Sequence, residues 1–248
     1  SGDLGAGRII DLDAGQAHHV INVLRLEGGQ QLALFNGRDG EWLAELEKSG
    51  KRKAKARILE IMRLQSAETD LWLLFAPVKR APIDLIGEKA TELGASLLWP
   101  VITARTNVAR VNMDRLAANA REAAQQCGRL SVPGLRDPLA LDEVIANWPA
   151  ERRLLVMDES GTAPPIADVL GRAPAPGGEA ILVGPEGGFE RSELDAMVKQ
   201  AFVKAVGMGE RVLRAETAAI AALACWQALI GDWRAAPKKP EREPSGLQ

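Results

Sequence analysis

A chain of 248 residues, 46% hydrophobic and 26% charged, holds enough apolar material for one large α/β domain or two smaller ones. It has no apolar run of about eighteen residues and no charged–apolar–small leader, which excludes a transmembrane helix and a secretory signal. Two distant cysteines without metal-ligand spacing and a net charge of −2 speak against a zinc site and a generic polyanion binder, and suit a reducing, cytoplasmic setting.

In chain order, AHHVINVLRL (17–26) predicts a helix with Val20, Val23 and Leu24 on one apolar face, stopped by Gly28 and Gly29. QLALFN (31–36), EWLAELE (41–47) and ARILEIMRL (56–64) predict strands, the first two joined by the turn GRDG. KSGKRKAKAR (48–57) carries six basic residues and no acid, a solvated hairpin or a phosphate contact. LQSAETD (64–70) is polar and reads as a linker.

Beyond it the rhythm changes. Strands are predicted at 71–78, 96–102, 152–158, 179–184 and 201–209, and helices at 81–94, 113–128, 164–171, 192–200 and 214–233. This alternation predicts a largely parallel sheet covered on both faces. Cys127 and Cys225 fall in apolar helical patterns and read as small core residues, and Trp72, Trp99, Trp226 and Trp233 occupy core-like positions. Lys89 and Glu92 are three apart on one helix, a salt-bridged solvent face. The tail 235–248 is poor in apolar residues and is expected to be disordered.

ILVGPEGGF (181–189) is a strand that ends in a glycine-rich loop, the usual ligand position of an open α/β sheet. It lacks the lysine and hydroxyl of a Walker loop, and its glycines are wrongly spaced for a dinucleotide fingerprint. Pro185 removes an amide donor, and Glu186 would repel a phosphate. Bare backbone beside an acid suits a neutral or cationic guest such as a sulfonium or an amino-acid zwitterion; a tight turn without a ligand is the alternative. In GMGERVLRAETA (207–218), Arg211 and Arg214 stand at a helix start, against the macrodipole. They answer either an anionic partner or a neighbouring acid.

LVGPEGGF followed about 25 residues later by ERVLRAETA, with QAHHVINVLRL, KATELGASLLWPVITAR and REAAQQCGRLSVPGL, resembles the 16S rRNA uridine N3-methyltransferases. These form the ribosomal small-subunit methyltransferase E family of the SPOUT superfamily, and the likeness covers residues 15–233. The first dozen residues depart from the family pattern, so Arg8 is not counted among RNA contacts.

The resemblance implies an α/β protein in which a small PUA-like β-barrel RNA-binding domain (1–66) precedes a SPOUT methyltransferase domain (71–234) with a C-terminal trefoil knot. It implies a homodimer that binds S-adenosylmethionine, bent, in the knot and acts on 16S rRNA or the small ribosomal subunit, without metal or membrane. By analogy, Val183, Gly184, Pro185, Glu186, Gly187 and Gly188 form one wall of the cofactor pocket. Met208, Gly209, Val212, Leu213, Arg214, Ala215 and Thr217 form the other, and Met157–Glu159 adds an edge. Arg25, Lys51, Arg52, Lys53, Lys79, Arg80 and Arg105 are the expected RNA contacts, and Arg110 has the same standing as Arg105.

Methyl transfer to uracil N3 requires loss of the N3 proton and stabilisation of the resulting imidate. Arg129 and Arg214 are the expected cations. The acid is one of Glu122, Glu186 and Glu216, with Glu122 and Arg129 facing one cleft if their helix continues through both. His18 and His19 lie in the N-terminal unit and are not expected to be the base, and the chain has no tyrosine. Other readings are a noncatalytic RNA-binding module of the same fold, a methyltransferase for another RNA nucleotide, and a nucleotide-dependent enzyme on a doubly wound sheet.

Overall fold

The computed structural model describes residues 2–48, 53–78, 80–107, 110–171 and 175–234. Lys51, Arg52, Lys79 and the tail expected to be disordered lie outside the described residues. The chain divides into two compact units at Ala67/Glu68.

The first unit is a four-stranded antiparallel sheet of β1 (Ile9–Asp11), β2 (Gln31–Phe35), β3 (Glu41–Lys48) and β4 (Ala54–Arg63), in the order β1-β4-β3-β2. Alternate residues point inward, so Leu32, Ala44, Leu46, Ala54, Ala56 and Ile58 make its core. β1 has no apolar alternation and was invisible in the sequence.

The expected helix at 17–26 starts earlier and ends differently. Asp13 Oδ1 accepts the amide of Gln16 at 2.8 Å while Gln16 Oε1 accepts that of Asp13 at 3.0 Å, a capping box that starts α1 (Ala14–His18). A π-helical turn over His19–Val23 follows. Its extra residue per turn rotates later side chains off the buried face. Ala17 and Val20 are buried, whereas Val23 is 58% and Leu24 52% exposed, a correction to the predicted apolar face.

The second unit is a parallel sheet between two helical layers. Its strands are β5 (Leu71–Phe75), β6 (Leu97–Ile102), β9 (Arg153–Met157), β10 (Glu179–Val183) and β11 (Val203–Val206), in the order β11-β9-β10-β5-β6. Two short strands, β7 (Gly134–Leu135) and β8 (Leu139–Ala140), pair in turn along the outer edge of β6. β10 is buried along its whole length, which suits its central place.

Leu71, Leu73, Phe75, Leu155, Ile181 and Val183 face α2 (Arg80–Glu92), α3 (Met113–Gln126), α5 (Ile166–Val169) and α7 (Ala215–Leu229). Leu74, Leu154, Val156, Ala180 and Leu182 face α4 (Leu141–Ala146) and α6 (Arg191–Met197). α4 was not foreseen, because LDEVIA is too short to show a helical period. The helix predicted at 164–171 is the single turn α5, and the last helix stops at Leu229.

Two expectations of burial need correction. Cys127 is exposed at the C-cap of α3, and Cys225 is only half-buried. Trp99 and Trp226 are core residues, but Trp233 is 57% exposed beyond the end of α7. The Lys89 ammonium does bridge Glu88 (2.7 Å) and Glu92 (2.8 Å), which hold its pKa above the ordinary lysine value.

Candidate functional site

β10 is inserted between two strands that precede it in the chain, so the segments leaving β9, β10 and β11 converge at one end of the sheet. Each is shaped by close backbone packing. After β10, a Cβ on Gly184 would stand 2.9 Å from the Phe189 ring, which folds back into the core. The Gly188 amide donates to the Pro185 carbonyl at 2.9 Å, closing a turn, and Gly188 takes φ +68°. A Cβ there would lie 2.0 Å from Glu159 Oε1. After β11, the Gly207 amide donates to Pro164 O at 2.8 Å and its carbonyl accepts from Ile166 N at 3.1 Å. Gly207 is bare because a Cβ would meet Ala163 O at 2.8 Å.

Between these segments lies a cavity of about 270 Å³. Among the expected cofactor residues, Val183, Gly184, Pro185, Gly188, Met208, Gly209, Val212, Leu213 and Ala215 line it, as does the edge Met157–Glu159. Glu186, Gly187, Arg214 and Thr217 do not. Reading the sequence missed Ser160, Gly161, Phe189, Leu194, Glu210, Arg211 and Ala218 as lining residues. Glu210 and Arg211 were within reach, since they lie between two residues that were chosen; Leu194, on α6, carried no signal.

The lining is mixed. Met157, Val183, Phe189 and Leu213 supply apolar surface, and Asp158, Glu159, Glu210 and Arg211 supply charge. Asp158 is engaged in its own loop, accepting the amide and the hydroxyl of Ser160, both at 2.9 Å. Glu186, expected in the cofactor wall and as a candidate base, is exposed and does not line the cavity.

Arg214 is the N-cap of α7, with an extended backbone and its carbonyl taking the Ala218 amide at 2.8 Å. It therefore precedes the first turn, which carries Glu216, the sign the helix dipole favours. Its side chain is exposed.

The shared cleft expected for Glu122 and Arg129 is not formed. α3 ends at Gln126, and Gly128 turns the chain with φ +70°. Arg129 then donates to Glu68 Oε2 (2.8 Å) and to the Thr91 carbonyl near the end of α2 (2.6 Å), and it is only 10% exposed. Glu68 precedes β5, so this pair sits at the N-terminal edge of a parallel sheet whose cavity is at the C-terminal edge. Glu122 is exposed on α3.

Arg25 and Lys53 are exposed in the N-terminal unit, and Arg25 has φ +56°. Arg80 opens α2. Arg105 turns toward the glycine loop, its Nη1 donating to the Gly187 carbonyl at 2.7 Å. Among the described residues there is no cluster of side chains able to hold a metal, and no helix is long and apolar enough to cross a membrane.

Comparison with known proteins agrees with this geometry. Residues 65–227 match the RNA methyltransferase domain family, and residues 12–59 match the RNA methyltransferase PUA domain. The ribosomal RNA small subunit methyltransferase E of Rickettsia conorii is 32% identical over 212 residues, covering 84% of each chain. A Legionella pneumophila protein solved in complex with the bound cofactor S-adenosylmethionine is 31% identical, with a TM-score of 0.85 over 93% of this chain and 96% of that one. The methyltransferase E of Neisseria gonorrhoeae, solved with S-adenosylmethionine, is 29% identical, with a TM-score of 0.85 over 94% of this chain and 96% of that one. By these matches, which run across both of its units, the chain belongs to the ribosomal RNA small subunit methyltransferase E family.

Proposed function

We propose that this protein methylates N3 of a uridine in 16S rRNA, using S-adenosylmethionine held in the cavity between the segments leaving β9, β10 and β11. The observation that carries the reading is the convergence of 157–161, 183–189 and 208–215 on one cavity whose glycines exclude side chains. Its volume, about 270 Å³, lies just below the ~300–1,000 Å³ usual for small-ligand sites.

The residues present fit that cofactor. Met157, Val183 and Leu213 offer an apolar berth for a purine, and Glu159 and Glu210 offer acceptors to hydroxyl and ammonium groups and negative charge to a sulfonium. A phosphate-bearing nucleotide fits less well, since three acids and one base line the cavity.

When bound, the cofactor supplies an electrophilic methyl group on a cationic sulfur. The protein has to align that group with N3, take the N3 proton and hold the negative charge left on the uracil. Alignment alone supplies as much as roughly 7–11 kcal/mol in favourable cases. With Asp158 tied to Ser160, the acids left to accept the proton at the cavity are Glu159 and Glu210, and Arg211 is the cation beside them. The proton would leave N3 for a carboxylate of the protein, its electron pair would stay on N3 to take up the methyl group, and the pair of the broken carbon–sulfur bond would remain on sulfur. Within the same proposal the protein is a homodimer whose C-terminal segment is knotted. The insertion of β10 between β9 and β5, and the pairing of Pro165 with Gly207, support that threading.

The test is methyl transfer in vitro. Purified protein with labelled S-adenosylmethionine and undermethylated small subunits or 16S rRNA should place one methyl on one uridine, read by mass spectrometry of the digested nucleosides. Label on a ribose, on another base or nowhere would refute the assignment.

A further inference from the structure

Arg105 carries a role that RNA contact does not describe. It lies just after β6, in a turn knit by Thr103 and Thr106: the Thr103 amide donates to Thr106 Oγ1 at 2.9 Å and the Thr106 amide to the Thr103 carbonyl at 3.0 Å. From this turn the arginine stem runs over Gly187, its Cδ 3.5 Å from where a Cβ would stand, and Nη1 reaches the Gly187 carbonyl. Ala104 is fastened as well, its amide donating to Glu193 Oε1 at 2.8 Å. The other oxygen of Glu193 accepts the Glu190 amide at 2.8 Å in the capping box of α6. Two struts therefore join the β6 turn to the segment that runs from the glycine loop into α6.

The consequence lies in one peptide plane. The Gly187 carbonyl and the Gly188 amide belong to the same rigid unit. Arg105 holds the carbonyl end, and the Pro185 carbonyl holds the amide end at 2.9 Å. With glycine on both sides, this plane has little steric reason to keep one orientation, since glycine populates positive and negative φ about equally. Pro185 and Gly188, on either side of it, line the cavity, while Gly187 does not.

We infer that Arg105 is a positioning residue for the cofactor pocket: it locks the Gly187–Gly188 peptide from behind and so keeps the wall formed by Pro185 and Gly188 in its binding shape. The inference rests on the reading of the cavity as the S-adenosylmethionine site.

The experiment is calorimetric titration of the full chain with S-adenosylmethionine and S-adenosylhomocysteine, beside KM for RNA at saturating cofactor. Arg105→Ala should weaken both cofactors about tenfold, the scale of one charge-assisted hydrogen bond, with the melting temperature of the unliganded protein and KM for RNA near wild type. Glu193→Ala removes the second strut and leaves the arginine charge in place. It should weaken cofactor binding in the same direction but less, by about threefold, because Glu193 holds the β6 turn and the start of α6 and does not touch the Gly187–Gly188 peptide itself.

An Arg105→Ala protein that binds cofactor like wild type but loses affinity for RNA would overturn the inference and return Arg105 to the RNA surface. If that variant does not fold, unchanged cofactor affinity in folded Glu193→Ala overturns it equally. A wild-type protein with no saturable heat would remove the cofactor reading itself, and the inference with it.

Discussion

At the scale of single residues, the site depends on what glycine omits. Gly188 has a positive φ, and the volume a side chain would take is held by the Glu159 carboxylate. Gly188→Ala should cost about 1–2 kcal/mol from the left-handed backbone alone and also push Glu159 out of the cavity. Urea unfolding and cofactor titration should both register the change; if both match wild type, the packing described between the two strand ends is wrong.

A second residue, far from the site in sequence, controls acid behaviour. The Arg38 guanidinium, then the Asn36 amide and the Leu4 backbone amide, hold the Asp39 carboxyl well below the usual carboxylate range. A carboxyl whose pKa is lower folded than unfolded adds stability that is complete above its unfolded value, about 4, and is lost as pH falls through the folded one. The N-terminal unit should therefore weaken as pH drops below about 4, and Asp39→Asn should flatten that part of the curve. The Trp42 indole N–H, which donates to the Asp39 carbonyl at 2.8 Å, is the probe in an NMR acid titration. An unchanged acid profile in the variant would contradict this account.

At the scale of elements, α7 joins the layer above the site. It packs on α2, α5, β5 and β10, and Ala215, Ala218, Ala219 and Ala222 let it approach closely. Its Trp226 indole donates to Glu179, a wholly buried acid at the start of β10 that also takes Arg153 and the Ala175 amide. Losing one donor to a buried charge costs about 1.5–3 kcal/mol. Trp226→Phe should therefore lower unfolding stability by that amount in urea, and a loss under about 0.5 kcal/mol would show the bond to be unimportant. Gln227 beside it donates to the Leu93 carbonyl at 2.7 Å and accepts the Asp232 amide at 3.0 Å, tying both ends of the layer.

These elements show where reading the sequence succeeds. Near-continuous apolar segments such as 71–75, 179–183 and 215–229 were plain, because buried strands and an alanine-rich helix leave strong local patterns. The two-residue strands β7 and β8 leave none, since pairing along β6 and not composition defines them. Arg129 failed for a related reason: its partner Glu68 is 61 residues away, and Gly128 had already ended the helix that was to carry it. Glu159 lay in the unremarkable VMDES and was noticed only as an edge; its place against Gly188 comes from folding together segments about thirty residues apart.

At the scale of the molecule, cofactor chemistry is assigned wholly to the unit that follows Ala67, and the antiparallel unit before it matches a domain named for RNA methyltransferases. Ligand binding to one unit stabilises that unit by mass action, about 2.7 kcal/mol at a hundredfold excess over Kd. Hydrogen exchange with saturating S-adenosylmethionine should thus slow the amides of β9, β10, β11 and α7 and leave those of β1–β4 unchanged. Equal protection in both units would mean that the cofactor is not confined as described.

The most direct test of the account is a crystal structure of the protein grown with S-adenosylmethionine. The account predicts continuous density for the ligand among Met157–Gly161, Val183–Phe189 and Met208–Ala215, with Glu159 and Glu210 within hydrogen-bonding reach. Density for the ligand at any other place, with this cavity filled only by solvent, would contradict it.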